Sequence, residues 1–153
     1  MSVEEVKEYL RQFDASDRVM VKEGSSATVE EAAKVVGCEP ARIAKSLSFN
    51  LDGYTILVVT AGDMKVDNKK FKLHFGSKPH MLKYDEVEEC TGFKPGGVCP
   101  FGINSNVDVY LDVSLKRFES VYPAAGSDNS MIKLKLDELF EFGRAKDWID
   151  VCK

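Results

Sequence analysis

Two apolar runs separated by an Asp-Gly turn constrain the fold of this chain more than any other feature. The runs are "SLSFN" (46–50) and "YTILVVTA" (54–61), and "LDG" (51–53) lies between them. Asp-Gly is typical of the tight turn that joins two antiparallel strands, and the flanking runs are rich in apolar and β-branched residues. The pattern predicts a β-hairpin around which the remaining elements must build a sheet.

The rest of the chain alternates between helical and strand-like patterns. Helical spacing, capping boxes and helix-ending glycines predict short helices at 3–13, 28–37, 40–44, 66–75 and 85–92 and a last one from Asp137. Alternating or β-branched segments predict strands at 107–113, 119–125, 131–136 and around 148–151. The hairpin and the meander-like second half favour a mixed or antiparallel sheet, because a doubly wound parallel sheet needs helical crossovers that are missing here.

Length and composition predict one domain that covers residues 1–153, and its interspersed helices and strands make it α/β (α+β). A chain of 153 residues suits a single core, and no linker or internal repeat divides it. The apolar runs are too short to span a bilayer, and the N-terminus has the spacing of a helix rather than of a signal peptide. We therefore expect a cytoplasmic protein without a membrane partner.

The four cysteines, Cys38, Cys90, Cys99 and Cys152, are widely scattered. No CxxC pair and no neighbouring histidine accompanies them, which argues against a zinc site and against a disulfide framework. We expect neither a metal nor a cofactor.

Charge is unevenly distributed along the chain. The net charge is −4, yet six lysines and both histidines lie between Lys65 and Lys83, where Asp67 is the one acidic residue. This segment is either a solvated helix face or a local surface that contacts phosphate groups.

The segment "KPGGVCPFGI" (94–103) does not match a known phosphate-binding glycine pattern. Gly96 and Gly97 permit close approach of the main chain, and Pro100 stiffens the segment and removes one donor. The segment is either an ordinary connection or a loop that presents its backbone to a ligand. Cys99 is a weaker candidate nucleophile, because a lone cysteine is more often a buried side chain.

Lys45 stands between "RIA" and "SLSF", where a short helix is predicted to end and the first strand to begin. It is either a solvated residue or an ammonium group at the mouth of a pocket, where partial desolvation strengthens its attraction for an anion or a carbonyl. "AAGSDN" (124–129) reads as a turn in which Ser127 and Asn129 can supply hydrogen bonds.

Four segments in this order resemble the YbaK family of aminoacyl-tRNA deacylases, whose domain also occurs as the editing insertion of bacterial prolyl-tRNA synthetases. They are "TVEEAAKVVGCEPARIAKSLSF", "VVTAGDMKVD", "TGFKPGGVCPFG" and "YPAAGSDNSMIKL". The resemblance covers about residues 28–139, and its most specific parts are the Ile-Ala-Lys segment and the Gly-Gly-Val-x-Pro-Phe-Gly loop. It implies a compact domain with a mixed, barrel-like sheet and a cleft for the aminoacylated end of a tRNA.

The resemblance also implies roles for individual residues. Lys45 matches the family's lysine, and Gly96, Gly97 and Pro100 match its GxxxP loop, so these four are the expected catalytic group. Residues expected to line the substrate pocket are Ser46, Val98, Cys99, Phe101, Gly102 and Ser127, and the expected tRNA contacts are Lys65, Lys69, Lys70 and Lys72. Ser46 and Cys99 depart from residues common in the family, so the substrate's amino acid does not carry over.

Three functions follow as hypotheses. The first is a free-standing hydrolase that deacylates tRNA carrying a small wrong amino acid of the alanine, serine, threonine or cysteine class. The second is a catalytically silent module that binds tRNA or aminoacyl ends for a synthetase, and the third is a thiol-dependent hydrolase that uses Cys99. The expected partners are the tRNA acceptor end and an aminoacyl-tRNA synthetase, with the protein itself a monomer or a weak homo-oligomer.

Overall fold

The structure, a computed structural model, describes residues 2–24 and 28–153. The helices in these residues are α1 (Val3–Leu10), α2 (Val29–Val36), α3 (Asn68–Phe75), α4 (Val87–Thr91) and α5 (Leu136–Phe142). The strands are β1 (Met20–Val21), β2 (Ile43–Leu51), β3 (Tyr54–Ala61), β4 (Asp108–Asp112), β5 (Ser120–Pro123), β6 (Ser130–Met131), β7 (Leu134–Lys135) and β8 (Asp147–Ile149). No helix in the described residues has the length and apolar character needed to cross a membrane.

The predicted hairpin is the centre of the main sheet. β3 pairs along its whole length with β2, from Ala61 opposite Ala44 to Tyr54 opposite Leu51. Asp52 and Gly53 both have positive φ angles, 46° and 93°, as a two-residue hairpin turn requires. The hairpin prediction is therefore confirmed.

Six strands form this sheet in the order β7-β5-β2-β3-β4-β8, and β1 and β6 form a separate pair. β2/β3 and β5/β7 are antiparallel, whereas β2/β5, β3/β4 and β4/β8 are parallel. The sheet is mixed and curls into a half-barrel, with short helices around it, which confirms the predicted fold class.

The two faces of β3 lie in two apolar clusters. Leu57 and Val59 belong to the larger cluster, whereas Ile56 and Val58 pack with Phe49 and Phe71 in the smaller one. Successive strand residues point to opposite faces, so an apolar run in a central strand means that both faces are covered. β3 is buried from Thr55 to Ala61 for this reason.

Some predicted boundaries were wrong. The helix expected over 40–44 is a 3-10 turn of Pro40–Arg42, because Ile43 and Ala44 pair with Tyr122 and Pro123 and so begin β2. Lys45 consequently lies inside a strand rather than at its start. The strand expected over 131–136 is divided between β6 and β7, which pair with different partners.

An ion pair between Arg18 and Glu138 fixes the segment after α1 to α5. The guanidinium of Arg18 donates to both oxygens of the Glu138 carboxylate at 2.8 and 3.0 Å and to the Lys133 carbonyl at 2.9 Å. This hydrogen bonding lowers the pKa of Glu138 to about 2, from an ordinary value of 4.5. A carboxylate with a depressed folded-state pKa stabilises the fold above its unfolded pKa and loses that effect as the pH falls toward the folded value.

We predict that Glu138→Gln lowers the melting temperature by an amount that stays constant from pH 7 to about pH 4.5 and shrinks toward zero near pH 2. Thermal unfolding followed by circular dichroism across this range measures the difference. Glu141→Gln, a change at an exposed carboxylate of the same helix, is the control and is expected to leave the melting temperature nearly unchanged. If the Glu138→Gln difference in melting temperature were as large at pH 2 as at pH 7, the ionised Glu138 carboxylate would not be its cause.

Candidate functional site

The outer edge of β2 is covered at both ends and open in the middle. β5 pairs with Ile43 and Ala44, and the segment 80–82 pairs farther along, through Asn50 N–H to the His80 carbonyl (2.8 Å) and Leu82 N–H to the Ser48 carbonyl (3.1 Å). Between them, no strand in the described residues covers Lys45–Leu47. The backbone groups of Ser48 and Asn50 that make these bonds point away from β3. Because this direction repeats every second residue, the N–H and C=O of Ser46 also point away from β3.

A cleft of about 280 Å³ opens at this uncovered edge. One wall is α2, another is the edge of β2, and the glycine-rich loop and the chain after β5 complete it. The lining residues are Thr28, Val29, Ala32, Ile43, Ala44, Lys45, Ser46, Leu47, Gly96, Val98, Tyr122, Ala124, Ser130 and Met131. Four predicted site residues, Lys45, Ser46, Gly96 and Val98, are therefore brought together here from two distant parts of the sequence.

Lys45 is half-buried, and a backbone carbonyl fixes the position of its ammonium group. The Nζ atom donates to the carbonyl of Met64, in the turn that follows β3. An ammonium group has three donors, so two remain for other acceptors. Lys45 can thus offer a fixed positive charge to an anion or a polarised carbonyl at the cleft.

Ser46 lines the same cleft and carries an unpaired hydroxyl. In the described residues, its Oγ is the one buried side-chain nitrogen or oxygen atom without a hydrogen-bond partner. A buried polar atom left unpaired costs free energy, about 1–3 kcal/mol, so such atoms are uncommon and often belong to sites that a ligand completes. Ser46 therefore contributes an unpaired hydroxyl and, at the uncovered edge of β2, backbone groups directed away from β3.

The glycine-rich loop reaches the cleft through a tight turn at Lys94–Gly97. Gly97 N–H donates to the Lys94 carbonyl at 3.0 Å, and Gly96 has a φ of 91°, which favours glycine at that position. A Cβ atom on Gly97 would lie 2.7 Å from the carbonyl oxygen of Gly126, so the loop packs directly on the backbone of that turn. The Gly97 amide is therefore occupied, whereas the amides of the cleft-lining Gly96 and Val98 have no hydrogen-bond partner within the described residues.

Five other predicted site residues are not among those that line the cleft. They are the remaining residues of the loop, Gly97, Cys99, Pro100, Phe101 and Gly102. Cys99 and Phe101 are fully buried in the larger apolar cluster and so anchor the loop in the core. Burial raises the pKa of the Cys99 thiol to about 12, an effect that amides of Phe101 and Gly126 offset only in part. A thiol with that pKa is protonated at neutral pH, which argues against Cys99 as a nucleophile.

Ser127 also lies outside the cleft and organises the turn after β5. Its hydroxyl donates to the Asn129 side-chain oxygen at 2.6 Å and lies 2.8 Å from Ser130 Oγ. Ser127 therefore contacts Ser130, a residue that lines the cleft, but does not line the cleft itself.

Sequence reasoning missed the lining residues from α2 and from the chain around β5. Thr28 carried a signal as the cap of a predicted helix, and its hydroxyl accepts from Glu31 N–H. Tyr122, Ala124 and Met131 lie in a segment that resembles the family, but nothing singled out these residues, because an alternating strand pattern does not say which strand will lie beside it.

The predicted tRNA-contact lysines are not equivalent. Lys65, Lys69 and Lys72 are exposed and form no ion pair within the described residues. Lys70, in contrast, donates to Asp150 at 3.0 Å and to the Cys152 carbonyl at 2.9 Å. Its ammonium group is therefore occupied in tying α3 to the C-terminus.

The chain is similar in sequence to an aminoacyl-tRNA editing domain and to proteins that contain such a region. A family model described as the aminoacyl-tRNA editing domain matches residues 23–142. The uncharacterized protein YwhH of Bacillus subtilis (strain 168) is 53% identical over 154 residues, covering 100% of this chain and 98% of YwhH. The proline–tRNA ligase of Bacillus licheniformis is 31% identical over 128 residues, which are 79% of this chain but 22% of the ligase.

Solved structures share the whole fold. A crystal structure described as a candidate trans-editing enzyme for prolyl tRNA synthetase superimposes with a TM-score of 0.89 at 29% identity, over 99% of this chain and 96% of that one. The hypothetical protein APE2540 superimposes with a TM-score of 0.81 at 26% identity, over 95% and 99% of the two chains.

We predict that iodoacetamide at pH 8 alkylates the half-buried Cys38 and Cys90 of the native protein much faster than Cys99 and Cys152. The last two side chains are buried, and the pKa of each is raised to about 12 by that burial. Mass spectrometry of peptides from native and urea-unfolded protein measures the four rates, and all four are expected to react after unfolding. A Cys99 rate equal to that of Cys90 in the native protein would contradict the buried position.

Proposed function

Because the chain belongs to the aminoacyl-tRNA editing domain family, we propose that it is a hydrolase that removes a small, wrongly attached amino acid from tRNA. The observation that carries this proposal is the convergence of Lys45, the unpaired Ser46 hydroxyl and the backbone at Gly96 and Val98 on one small cleft. These groups match an ester carbonyl and a neighbouring hydroxyl or ammonium group in number and polarity.

The proposed reaction needs no side-chain nucleophile. A water molecule adds to the ester carbonyl and the bond from carbon to the ribose oxygen breaks. One proton of the water goes to the ribose oxygen, the other passes to solvent, and the amino acid leaves as a carboxylate. No carboxylate or imidazole lines the described part of the cleft to act as a strong base. Acceleration then comes from holding the reactants in line and from stabilising charge on the carbonyl oxygen.

Lys45 and the loop backbone have complementary parts in this scheme. The Lys45 ammonium attracts the carbonyl oxygen as it becomes negative, or the terminal phosphate, and the amides of Gly96 and Val98 are candidate donors to the same oxygen. Groups that already point at the developing charge need no reorganisation during the reaction, which is why such donors have large effects.

Cleft size supports a small aminoacyl group. A volume of about 280 Å³ is at the lower limit of ligand pockets, which usually enclose about 300–1,000 Å³. Alanine, serine, threonine and cysteine esters suit this space, whereas large aromatic side chains do not. A second enzyme for such errors is useful because a synthetase pocket separates near-isosteres by only about 10–200-fold.

We propose that the chain acts on tRNA in trans. The matched proline–tRNA ligase contains a similar region as 22% of its length, whereas YwhH and this chain match nearly end to end. The expected partner is the tRNA acceptor end, with phosphate contacts from the exposed Lys65, Lys69 and Lys72.

The proposal is tested with a panel of labelled aminoacyl-tRNAs and the variants Lys45→Ala and Ser46→Ala. We expect wild-type protein to deacylate at least one small aminoacyl-tRNA and Lys45→Ala to lower kcat/KM for it by about 10²–10³-fold, as for loss of one charge-stabilising donor. Ser46→Ala is expected to change the ranking of the amino acids rather than to abolish activity.

Two controls separate the competing functions. Lys133→Ala removes an exposed lysine away from the cleft and is expected to behave like wild-type protein. Cys99→Ala is expected to keep most of the activity. An inactive Cys99→Ala variant together with an active Lys45→Ala variant would instead favour a thiol-dependent reaction. Binding of tRNA without deacylation of any member of the panel would favour the silent module.

The basic surface is tested by the salt dependence of tRNA binding. Lys69→Gln with Lys72→Gln on α3 is expected to weaken binding and to reduce the slope of log K against log[salt] by about 1.4–1.8, since each phosphate contact contributes about 0.7–0.9. The matched pair Lys133→Gln with Lys135→Gln is expected to leave the slope unchanged. Equal slopes for wild-type protein and both pairs would exclude phosphate contacts by α3.

A further inference from the structure

The turn that connects β3 to α3 is built tightly beside Lys45. Its sequence is Ala61-Gly-Asp-Met64, and Met64 is the residue whose carbonyl accepts from Lys45. Gly62 N–H donates to the Ala41 carbonyl at 3.3 Å, and a Cβ atom at Gly62 would lie 2.1 Å from the Pro40 carbonyl oxygen. The turn is therefore packed against the segment that leads into β2, where any larger residue would push the two apart.

Arg117 holds the acidic residue of this turn. Its guanidinium donates to both carboxylate oxygens of Asp63, at 3.0 and 2.6 Å, and its Nε donates to the Ser114 carbonyl at 2.9 Å. Ser114 is itself fixed, because its N–H donates to Asp112 at 2.9 Å and its Oγ accepts from Ala61 N–H at 3.2 Å. Asp63 is thus occupied on both oxygens by a partner that is anchored independently.

Lys45 lies next to this pair but does not join it. Its Nζ atom donates to the carbonyl of Met64, the residue after Asp63. The pKa of Asp63 is lowered, chiefly by Arg117 and to a small extent by Lys45, so the lysine is within electrostatic range of the carboxylate. The ammonium group nevertheless has a neutral acceptor, and no ion pair joins the two described side chains.

We propose that Arg117 is a positioning residue that keeps the Asp63 carboxylate away from Lys45. By occupying both oxygens of Asp63, Arg117 leaves Lys45 paired with a neutral carbonyl, with its positive charge and two N–H donors available to the aminoacyl end of tRNA. Without Arg117, the free carboxylate would be the strongest acceptor near Nζ and would neutralise it. This inference rests on the proposed role of Lys45. It explains how an acidic residue, Asp63, can lie beside Lys45 without neutralising it.

Activity of three variants tests the proposal on the best aminoacyl-tRNA of the panel. Arg117→Ala, which frees the carboxylate, is expected to lower kcat by tenfold or more with a smaller change in KM. Asp63→Asn is expected to stay close to wild-type activity, and Arg117→Ala with Asp63→Asn is expected to regain most of the lost kcat. Arg11→Ala on the exposed part of the chain after α1 is the control for loss of an arginine.

The double variant separates positioning from a merely structural ion pair. If Arg117 acted only as a brace for the turn, removing both partners would be at least as harmful as removing one, in activity and in melting temperature. We also expect the activity of Arg117→Ala relative to wild-type protein to recover as the pH falls toward the ordinary aspartate pKa of about 3.9, because protonation removes the competing charge. The double variant has no such carboxylate and is expected to show no recovery.

A crystal structure of Arg117→Ala supplies a readout that does not depend on catalysis. We expect Lys45 Nζ to lie within about 4 Å of the Asp63 carboxylate, the limit for an ion pair, instead of on the Met64 carbonyl. Lys45 still on Met64 in that structure would overturn the inference, whatever the activity. An ion pair there, together with wild-type protein that deacylates nothing, would leave the positioning intact and refute the proposed function instead.

Discussion

The site depends on the early separation of two parallel strands. β2 and β5 pair through only two residue pairs, and the outer edge of β2 is then uncovered until the segment 80–82 pairs with it. A sheet edge left open inside a fold exposes backbone donors and acceptors that must find partners. Here the opening is closed by a glycine-rich loop and by α2, and the space that remains between them is the cleft.

Among the described residues that line this cleft, Lys45 is the one with a charged side chain, and residues around the cleft hold the loop and the turn beside it. The close contact between Gly97 and Gly126 brings the loop to the edge of β2, while Cys99 and Phe101 anchor the loop in the core. On the opposite side, Asp112, Ser114 and Arg117 hold the turn whose carbonyl receives Lys45. A hydrolase for an already activated ester can rely on such an arrangement, since position and charge do most of what its reaction requires.

Local patterns predicted the helices and the hairpin well, because caps, turns and apolar spacing act over a few residues. Asp67 caps α3, Gly37 ends α2, and Asp52-Gly53 closes the hairpin as expected. The patterns failed at 40–44 and 131–136, where pairing with a distant strand outweighed the local preference. In the same way, the sequence singled out Lys45 and the glycine-rich loop but not Tyr122, Ala124 or Met131, which come into the cleft only through pairing between distant segments.

By itself, the sequence determined the hairpin, the mixed character of the sheet, the unusual loop at 94–103 and the family that these segments resemble. These features are local, or depend on the order of local motifs along the chain. Only the tertiary structure decided which side of the loop faces the cleft, that the reactive-looking Cys99 is a buried thiol, and that Ser46 carries an unpaired hydroxyl. It also decided that Arg117, more than fifty residues from Asp63, takes up the charge beside Lys45, because burial and ion pairing join residues that no local pattern connects.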